Sequence, residues 1–163
     1  MLHNLISKLD KNSVESAAAH CDVPCKIYDP SMIIVPALTV VRMLDIMAEL
    51  ADRPMDLATV NTLSRAVAQK EEHAAAVKHQ TVVIWGDYFK APQFEQFPNA
   101  SELVHSIMLQ ASKCKVGTDR NDGVELVNLV NQFVEMFWAT KNVKTKRAVS
   151  PYPPALEVVY PDL

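Results

Sequence analysis

Four segments of the chain carry apolar residues at helical spacing, and residues that start or stop helices bound each segment. The first segment follows Asp29-Pro30, which offers an N-cap carboxylate before a proline at the first helical position. Its apolar residues recur at positions 33, 37, 40, 44 and 47, and positions 34, 38, 41 and 46 widen the stripe. We therefore predict a helix to about Ala51 with two buried surfaces, bent or broken at Pro36.

The other three segments have similar signals. A second helix is predicted to start at the cap Asp56, and its apolar positions are Val60, Leu63, Val67, Ala74, Val77 and Ile84. A third starts at Asn99 or Ser101, ends near Gly117, and turns Leu103, Val104, Ile107, Met108 and Ala111 inward. Asp122 is the predicted cap of the fourth, whose stripe is Leu126, Val130, Phe133 and Phe137. With residues 86–99 as an ordered loop, these segments predict an all-α, antiparallel four-helix bundle.

Composition fits one globular domain without nucleic-acid or membrane partners. The chain has 163 residues, only three glycines and a net charge of −3, so it lacks the basic field that nucleic acid requires. A membrane span needs roughly 18 apolar residues. The longest apolar stretch, residues 33–47, is interrupted by Arg42 and Asp45. We therefore expect a soluble protein.

The two ends of the chain differ from the bundle. Residues 1–19 end in three alanines, but charged residues break up any signal-peptide core, so we interpret them as a propeptide cleaved in the cytoplasm. The alternative is an N-terminal helix that frays and is never cut. Residues 142–163 contain four prolines and are predicted to form an extended tail, either disordered or lying on a neighbouring subunit.

The segment that carries chemistry is residues 20–30, which read His-Cys-Asp-Val-Pro-Cys-Lys-Ile-Tyr-Asp-Pro. Cleavage after residue 19 would give His20 a free amine. That amine, the Cys21 backbone nitrogen and the Cys21 sulfur can bind one metal ion through two fused chelate rings, and the Cys25 sulfur completes a square. Planar N2S2 donors favour nickel(II) or copper(II) over tetrahedral zinc, and the His20 imidazole can bind axially.

These eleven residues resemble the nickel hook of nickel-containing superoxide dismutases. The resemblance continues in Trp-Gly-Asp-Tyr-Phe-Lys-Ala-Pro (residues 85–92) and Phe-Trp-Ala-Thr-Lys (residues 137–141). It implies a nickel cofactor, superoxide as substrate, a homohexamer, a maturation protease with a nickel source, and a cis bond before Pro24.

The resemblance also assigns roles to residues around the metal. It implies that the hydroxyls of Tyr28 and Tyr88 position superoxide or water, and that Asp22 supports this arrangement. Lys90 and Lys26 would attract the anion, although a solvated surface charge is an equal interpretation of both. Lys26 occupies a position where glycine is common in the family.

Two positions depart from the family's pattern. Where the best-known members support the axial histidine with a glutamate and an arginine, this chain has Pro36 and His73. His73 is a candidate substitute. The departure motivates an alternative function, a nickel- or copper-binding protein without dismutase turnover, and a weaker third hypothesis is a thiol redox protein. Cys114 is interpreted as a buried apolar residue, and His3, His79 and His105 as surface residues.

Overall fold

The computed structural model describes residues 25–163, which form a bundle of four long helices with a short helix and a β-hairpin added. The elements in chain order are α1 (Ser31–Leu50), α2 (Leu57–Val83), a π-helical turn (Ile84–Tyr88), α3 (Ala91–Gln96), α4 (Ala100–Val116), α5 (Arg120–Thr140), β1 (Thr145–Val149) and β2 (Glu157–Pro161). The long helices close a ring in which α1 and α4 each pack against both α2 and α5. The predicted four-helix bundle is confirmed.

Helix α1 begins one residue later than predicted, with Pro30 and not Asp29 as its N-cap, and it continues through Pro36. The Asp29 carboxylate accepts a hydrogen bond from the Ser31 amide at 2.8 Å. Pro36 lies within the helix, which is continuous from Ser31 to Leu50, so the predicted break is wrong. Pro36 cannot donate to the carbonyl of Met32. Met32 is 58% exposed, and its carbonyl is therefore on the side of the helix where water is available.

The two predicted surfaces of α1 are both buried. One comprises Ile33, Ala37, Val40 and Leu44, and the other Ile34, Leu38 and Val41. By length and composition α1 could also cross a membrane, with a mean hydropathy of 1.8 over its most apolar stretch. Its burial against α2 and α5 offers another reason for this hydropathy, because the central helix of a bundle needs apolar residues on more than one face.

Helix α2 begins at the predicted cap but turns a partly different face inward. Asp56 accepts from the Thr59 amide at 2.8 Å, and this bond lowers the pKa of the Asp56 carboxyl. Val60, predicted to be inward, is 43% exposed, whereas Ala66 and Lys70 are buried. The predicted heptad spacing of 3.5 residues drifts against the 3.6-residue helical turn, and over 27 residues this drift moves the stripe to a neighbouring face.

The segment between α2 and α5 adds local structure to the predicted loop and shifts one cap. The π-helical turn and α3 occupy much of residues 84–96, and α4 ends at Gly117 as predicted. Asp122 does not cap α5. Asp119 does, accepting from the Asn121 amide at 2.9 Å, while Asp122 lies in the first turn and pairs with Lys113 at 2.6 Å.

Residues 145–161 form an antiparallel hairpin that packs on α5 of the same chain. Thr145 pairs with Pro161 and Val149 with Glu157. Val158 and Val159 are buried. The Asn131 side chain donates to the Glu157 carbonyl at 2.9 Å and accepts from the Val159 amide at 3.1 Å, which joins α5 to the strand edge. The interpretation of this segment as disordered is therefore wrong, and the sequence analysis predicted neither strand.

Candidate metal centre

The part of the hook that the structure describes is the approach to α1, beginning with an exposed cysteine. Cys25 is exposed and precedes α1 by a few residues. His20, Cys21, Asp22 and the predicted cis bond before Pro24 lie outside the described residues. Within residues 25–163, no group of three or more His, Cys, Asp or Glu is arranged to hold a metal ion. A metal site that uses Cys25 therefore needs donors from the residues before it.

The hook turns sharply immediately after Cys25. Lys26 has a φ of 57°, in the left-handed region that glycine adopts without steric cost. This backbone conformation gives a physical reason for the glycine that the family resemblance placed at this position. A lysine there tolerates the same turn at a cost of roughly 1 kcal/mol, and its side chain is exposed.

Two tyrosines predicted to share a site meet beside the hook. Tyr28 and Tyr88 have ring centroids 5.6 Å apart, although 60 residues separate them in the chain. Tyr88 also packs on Phe137 of α5 at 5.0 Å and on Phe89 at 5.7 Å. The π-helical turn carries Tyr88 and holds one residue more per turn than an α-helix would, so it sets the direction in which Tyr88 projects.

The C-terminal end of α5 supplies two further groups to this cluster. The Tyr88 hydroxyl lies 2.7 Å from the Thr140 hydroxyl, and Thr140 donates to the Phe137 carbonyl at 2.6 Å. The Lys141 ammonium sits 4.5 Å from the centre of the Tyr88 ring, within cation–π range. Both residues stand in the motif of residues 137–141 that resembles the family, but neither was predicted to have a role at the site. That motif was the signal that could have identified them.

Lys90 lies close to the cluster in the chain and is held by its own backbone. Its ammonium donates to the Gly86 carbonyl of the π-helical turn at 2.9 Å, and the side chain remains exposed. A positive charge is therefore fixed next to the segment that carries Tyr88. This placement is compatible with attraction of an anion and equally with a solvated surface charge, as the sequence analysis stated.

The two departures from the family's pattern lie on neighbouring helices. Pro36 is within α1 and offers no hydrogen-bonding side chain. The Nδ1 atom of His73 lies 2.8 Å from the Gln69 carbonyl one turn earlier in α2. Because a carbonyl only accepts, Nδ1 is the donor in this contact. His73 is half-buried, with one ring nitrogen engaged by its own helix.

The second described cysteine is unsuited to metal binding. Cys114 is 1% exposed. Burial, aided by the Asp122 carboxylate, raises the pKa of its thiol to about 11. A thiol with this pKa stays protonated at neutral pH, whereas metals bind the thiolate. The interpretation of Cys114 as a buried apolar residue fits this environment. His79 and His105 are exposed, and His3 lies outside the described residues.

The fold and the site define a class: a helical-bundle protein in which an exposed cysteine shortly precedes a tyrosine that packs on a second tyrosine. A family model described as nickel-containing superoxide dismutase matches residues 15–141. The chain belongs to this family. The match ends before β1, so the C-terminal hairpin lies beyond it.

Relatives and solved structures agree with this assignment. The chain is 34% identical over 137 residues to the nickel superoxide dismutase of Streptomyces seoulensis, covering 84% of this chain and 98% of the relative. It is 33% identical over 126 residues to that of Streptomyces coelicolor, covering 77% and 91%. A native nickel superoxide dismutase structure superposes with a TM-score of 0.66 at 34% identity, covering 75% of this chain and 99% of that one.

Proposed function

We propose that the protein is a nickel superoxide dismutase, an oxidoreductase that converts two superoxide ions and two protons into dioxygen and hydrogen peroxide. The observation that carries this proposal is the contact of Tyr28, three residues after the exposed Cys25, with Tyr88 at one end of the bundle, in a chain of this family. Nickel, when bound, supplies the one-electron cycle between its divalent and trivalent states.

The residues proposed to hold nickel are His20, Cys21 and Cys25. Exposure of Cys25 supports its part, because a ligating thiolate must be reachable by the ion. The donors must be unprotonated, so nickel affinity is expected to fall in acid. Asp22 is proposed to support the hook, and His73 is the candidate hydrogen-bond partner for the His20 imidazole.

The chain's own residues then bind and orient the reactants. Tyr28 and Tyr88 are proposed to position superoxide or a water beside the hook, supported by the contact of their rings. Lys90 and Lys26 are proposed to raise the local concentration of the anion around a protein of net charge −3. Both lysines are exposed, as a steering charge must be.

The alternative of a metal-binding protein without turnover is less well supported. Pro36 and His73 remain its motive, yet the relatives that match most of the chain are themselves named superoxide dismutases. Dismutase activity per bound nickel separates the two functions, because a binding protein would take up the metal without removing superoxide.

Maturation, location and assembly are part of the same proposal. Residues 1–19 are proposed to be removed by a protease in the cytoplasm, since their charges suit a propeptide better than a secretion signal. A homohexamer is proposed from the family resemblance. Exposed apolar side chains on α1, Met32 at 58% and Val35 at 54%, support an assembly through this helix.

The experiment that tests the function compares the full-length protein with a form that begins at His20. Nickel content and superoxide decay are measured on both after loading. We expect only the His20 form to bind about one nickel ion per chain and to remove superoxide, because the terminal amine is a ligand only after cleavage. Equal binding by both forms would contradict the amine-dependent hook, and binding without superoxide removal would favour the metal-binding alternative.

A further inference from the structure

The hydrogen bond between Tyr88 and Thr140 has a direction that the surrounding groups fix. The two hydroxyl oxygens are 2.7 Å apart, and either could donate when the pair is considered alone. The Thr140 hydroxyl also lies 2.6 Å from the Phe137 carbonyl. A hydroxyl has one proton, and a carbonyl can only accept. Thr140 therefore gives its proton to Phe137, and Tyr88 must be the donor to Thr140.

This direction determines what Tyr88 offers at the hook. With its proton engaged by Thr140, the phenol oxygen retains lone pairs and can accept a hydrogen bond from another molecule. Superoxide is an anion without a proton and cannot donate to these lone pairs. Water and hydrogen peroxide can. The arrangement thus favours water or the protonated product as the molecule that Tyr88 holds.

The same geometry interrupts a proton path through Tyr88. A relay would need Thr140 to hand a proton to the phenol, but the Thr140 proton is held by the Phe137 carbonyl inside α5. A backbone carbonyl does not supply protons. A proton that left Tyr88 would therefore not be replaced through Thr140, so the two residues do not form a proton relay.

Residues on both sides of Thr140 keep this arrangement in place. The Tyr88 ring is packed against Phe137 at 5.0 Å and lies under the Lys141 ammonium at 4.5 Å. Immediately after, the Asn142 and Val143 amides donate to the Ala139 and Trp138 carbonyls and close the end of α5. The C-terminal end of the last helix is thus tied down where it meets Tyr88.

We propose that Thr140 is a positioning residue that commits the Tyr88 hydroxyl proton to α5, so that Tyr88 acts at the hook as a hydrogen-bond acceptor for water or the product and not as a proton donor. This inference rests on the proposed dismutase function for its role in catalysis. The hydrogen bond itself does not depend on nickel, which allows a test without the metal.

The first test is proton NMR of the full-length, metal-free protein. A tyrosine hydroxyl proton is visible when its exchange with water is slow. We expect a Tyr88 hydroxyl signal with a nuclear Overhauser effect to the Thr140 methyl group. The hydroxyl signal should be lost in Thr140→Val and retained in Thr140→Ser, where its nuclear Overhauser effect is to the serine β-protons. An absent signal in the parent protein, or one unchanged in Thr140→Val, would overturn the inference. The measurement on the parent protein requires no variant to fold.

The second test is superoxide decay on the nickel-loaded, cleaved forms. Thr140→Val removes one ordinary hydrogen bond, and the free energy of such a bond corresponds to a decrease in kcat of about three- to tenfold. Thr140→Ser restores the bond and should restore kcat. If Tyr88 were the proton donor, freeing its hydroxyl would leave the rate unchanged or raise it, and that result would refute the acceptor role. Thr62→Val is the matched control, since Thr62 donates to the Ala58 carbonyl in α2 at 2.9 Å. An inactive parent enzyme would count against the proposed function, while the NMR result would still decide the hydrogen bond.

Discussion

The two ends of the bundle use the same residue types for opposite purposes. The hook end presents Cys25 and Lys141, and the far end, where α4 meets α5, holds Cys114 and Lys70. Cys25 is exposed, whereas Cys114 is 1% exposed. Lys141 is exposed over an aromatic ring, whereas Lys70 is 2% exposed. Burial therefore separates the groups that can meet a ligand from those that only stabilise the fold.

At the far end, the protein satisfies its own polar groups. The Lys70 ammonium donates to the Lys115 carbonyl at 2.9 Å and to the Gly117 carbonyl at 2.6 Å. These carbonyls lie at the C-terminal end of α4, where helices leave backbone acceptors without intrahelical partners. Burial lowers the pKa of Lys70. Its two hydrogen bonds act in the opposite direction, because the protonated amine is the donor in both. A lysine from one helix thus caps another.

At the hook end, polar groups are left partly available. Tyr28 and Tyr88 are half-buried and their rings are in contact. Chemistry at this end needs access for an ion and a small anion, and access requires incomplete burial. The comparison predicts that mutations at the hook end reduce activity with little effect on stability, and that mutations at the far end do the reverse.

The cysteines provide the largest expected contrast. Cys25→Ser, in the form beginning at His20, removes one of the proposed thiolate ligands, and we expect at least a 100-fold loss of dismutase activity, on the order of what the loss of a metal implies. Cys114→Ala is expected to keep nickel and activity within about twofold, since its thiol is a buried apolar group. Nickel content by mass spectrometry and superoxide decay check both. Full activity in Cys25→Ser would remove Cys25 from the metal site.

The next effect is on stability at the far end. Lys70→Met keeps the apolar stem but leaves two carbonyls without their donor, so we expect the free energy of unfolding to fall by about 3 kcal/mol, given the strength of hydrogen bonds from charged groups. Urea unfolding followed by circular dichroism measures it. Lys144→Met, at an exposed position before β1, is the control and is expected to change little. Equal stability of the two variants would show that Lys70 is not a cap.

The role of Lys70 could not be predicted from the sequence. The cap of α2, and the start of α1 to within one residue, were predictable because a carboxylate and the amide it accepts from lie two or three residues apart in the chain. Lys70 and Gly117 are 47 residues apart. The segment around Lys70 is polar, and no local pattern reveals which lysine a distant helix end will bury.

The residues of the candidate site also differ in whether the sequence could predict them. Residues 20–30 carry their ligands within one short motif, so the sequence alone predicted them. The pairing of Tyr28 with Tyr88 came from resemblance to a family, and Thr140 was not assigned a role. Helix α5 had to bring Thr140 to Tyr88, 52 residues away, before their hydrogen bond could be seen. The hairpin was missed because four prolines in residues 142–163 weakened its strand pattern.

Stability in alkaline solution gives a smaller test of the far end. Burial raises the pKa of the Cys114 thiol from 9.0 to about 11. The folded protein then holds this proton at a pH where the unfolded chain has lost it, so the stabilisation is complete below pH 9.0 and declines as the pH approaches about 11. Between about pH 8 and about pH 10.5, we expect the protein to lose about 2 kcal/mol more unfolding free energy than Cys114→Ala does.

Comparing the protein with this variant cancels the titration of groups that do not interact with the thiol, and leaves the thiol together with its charged neighbours Lys70, Lys113 and Asp122. Urea unfolding at each pH supplies the two free energies. Parallel pH profiles for the protein and Cys114→Ala would mean that the thiol is less buried than the structure shows, which would weaken the contrast between the two ends.

The smallest effect concerns the exposed lysines of the hook end. Lys90→Met removes a charge fixed at the π-helical turn, and we expect kcat/KM for superoxide to fall by about twofold at low ionic strength and by less in salt, because exposed charges act on approaching ions through a screened field. Lys144→Met, at the exposed position used above, is again the control. Superoxide decay over a range of salt concentrations measures the difference. If kcat/KM falls equally in both variants, the change in net charge explains the effect. The position of Lys90 near Tyr88 in the chain would then not explain it.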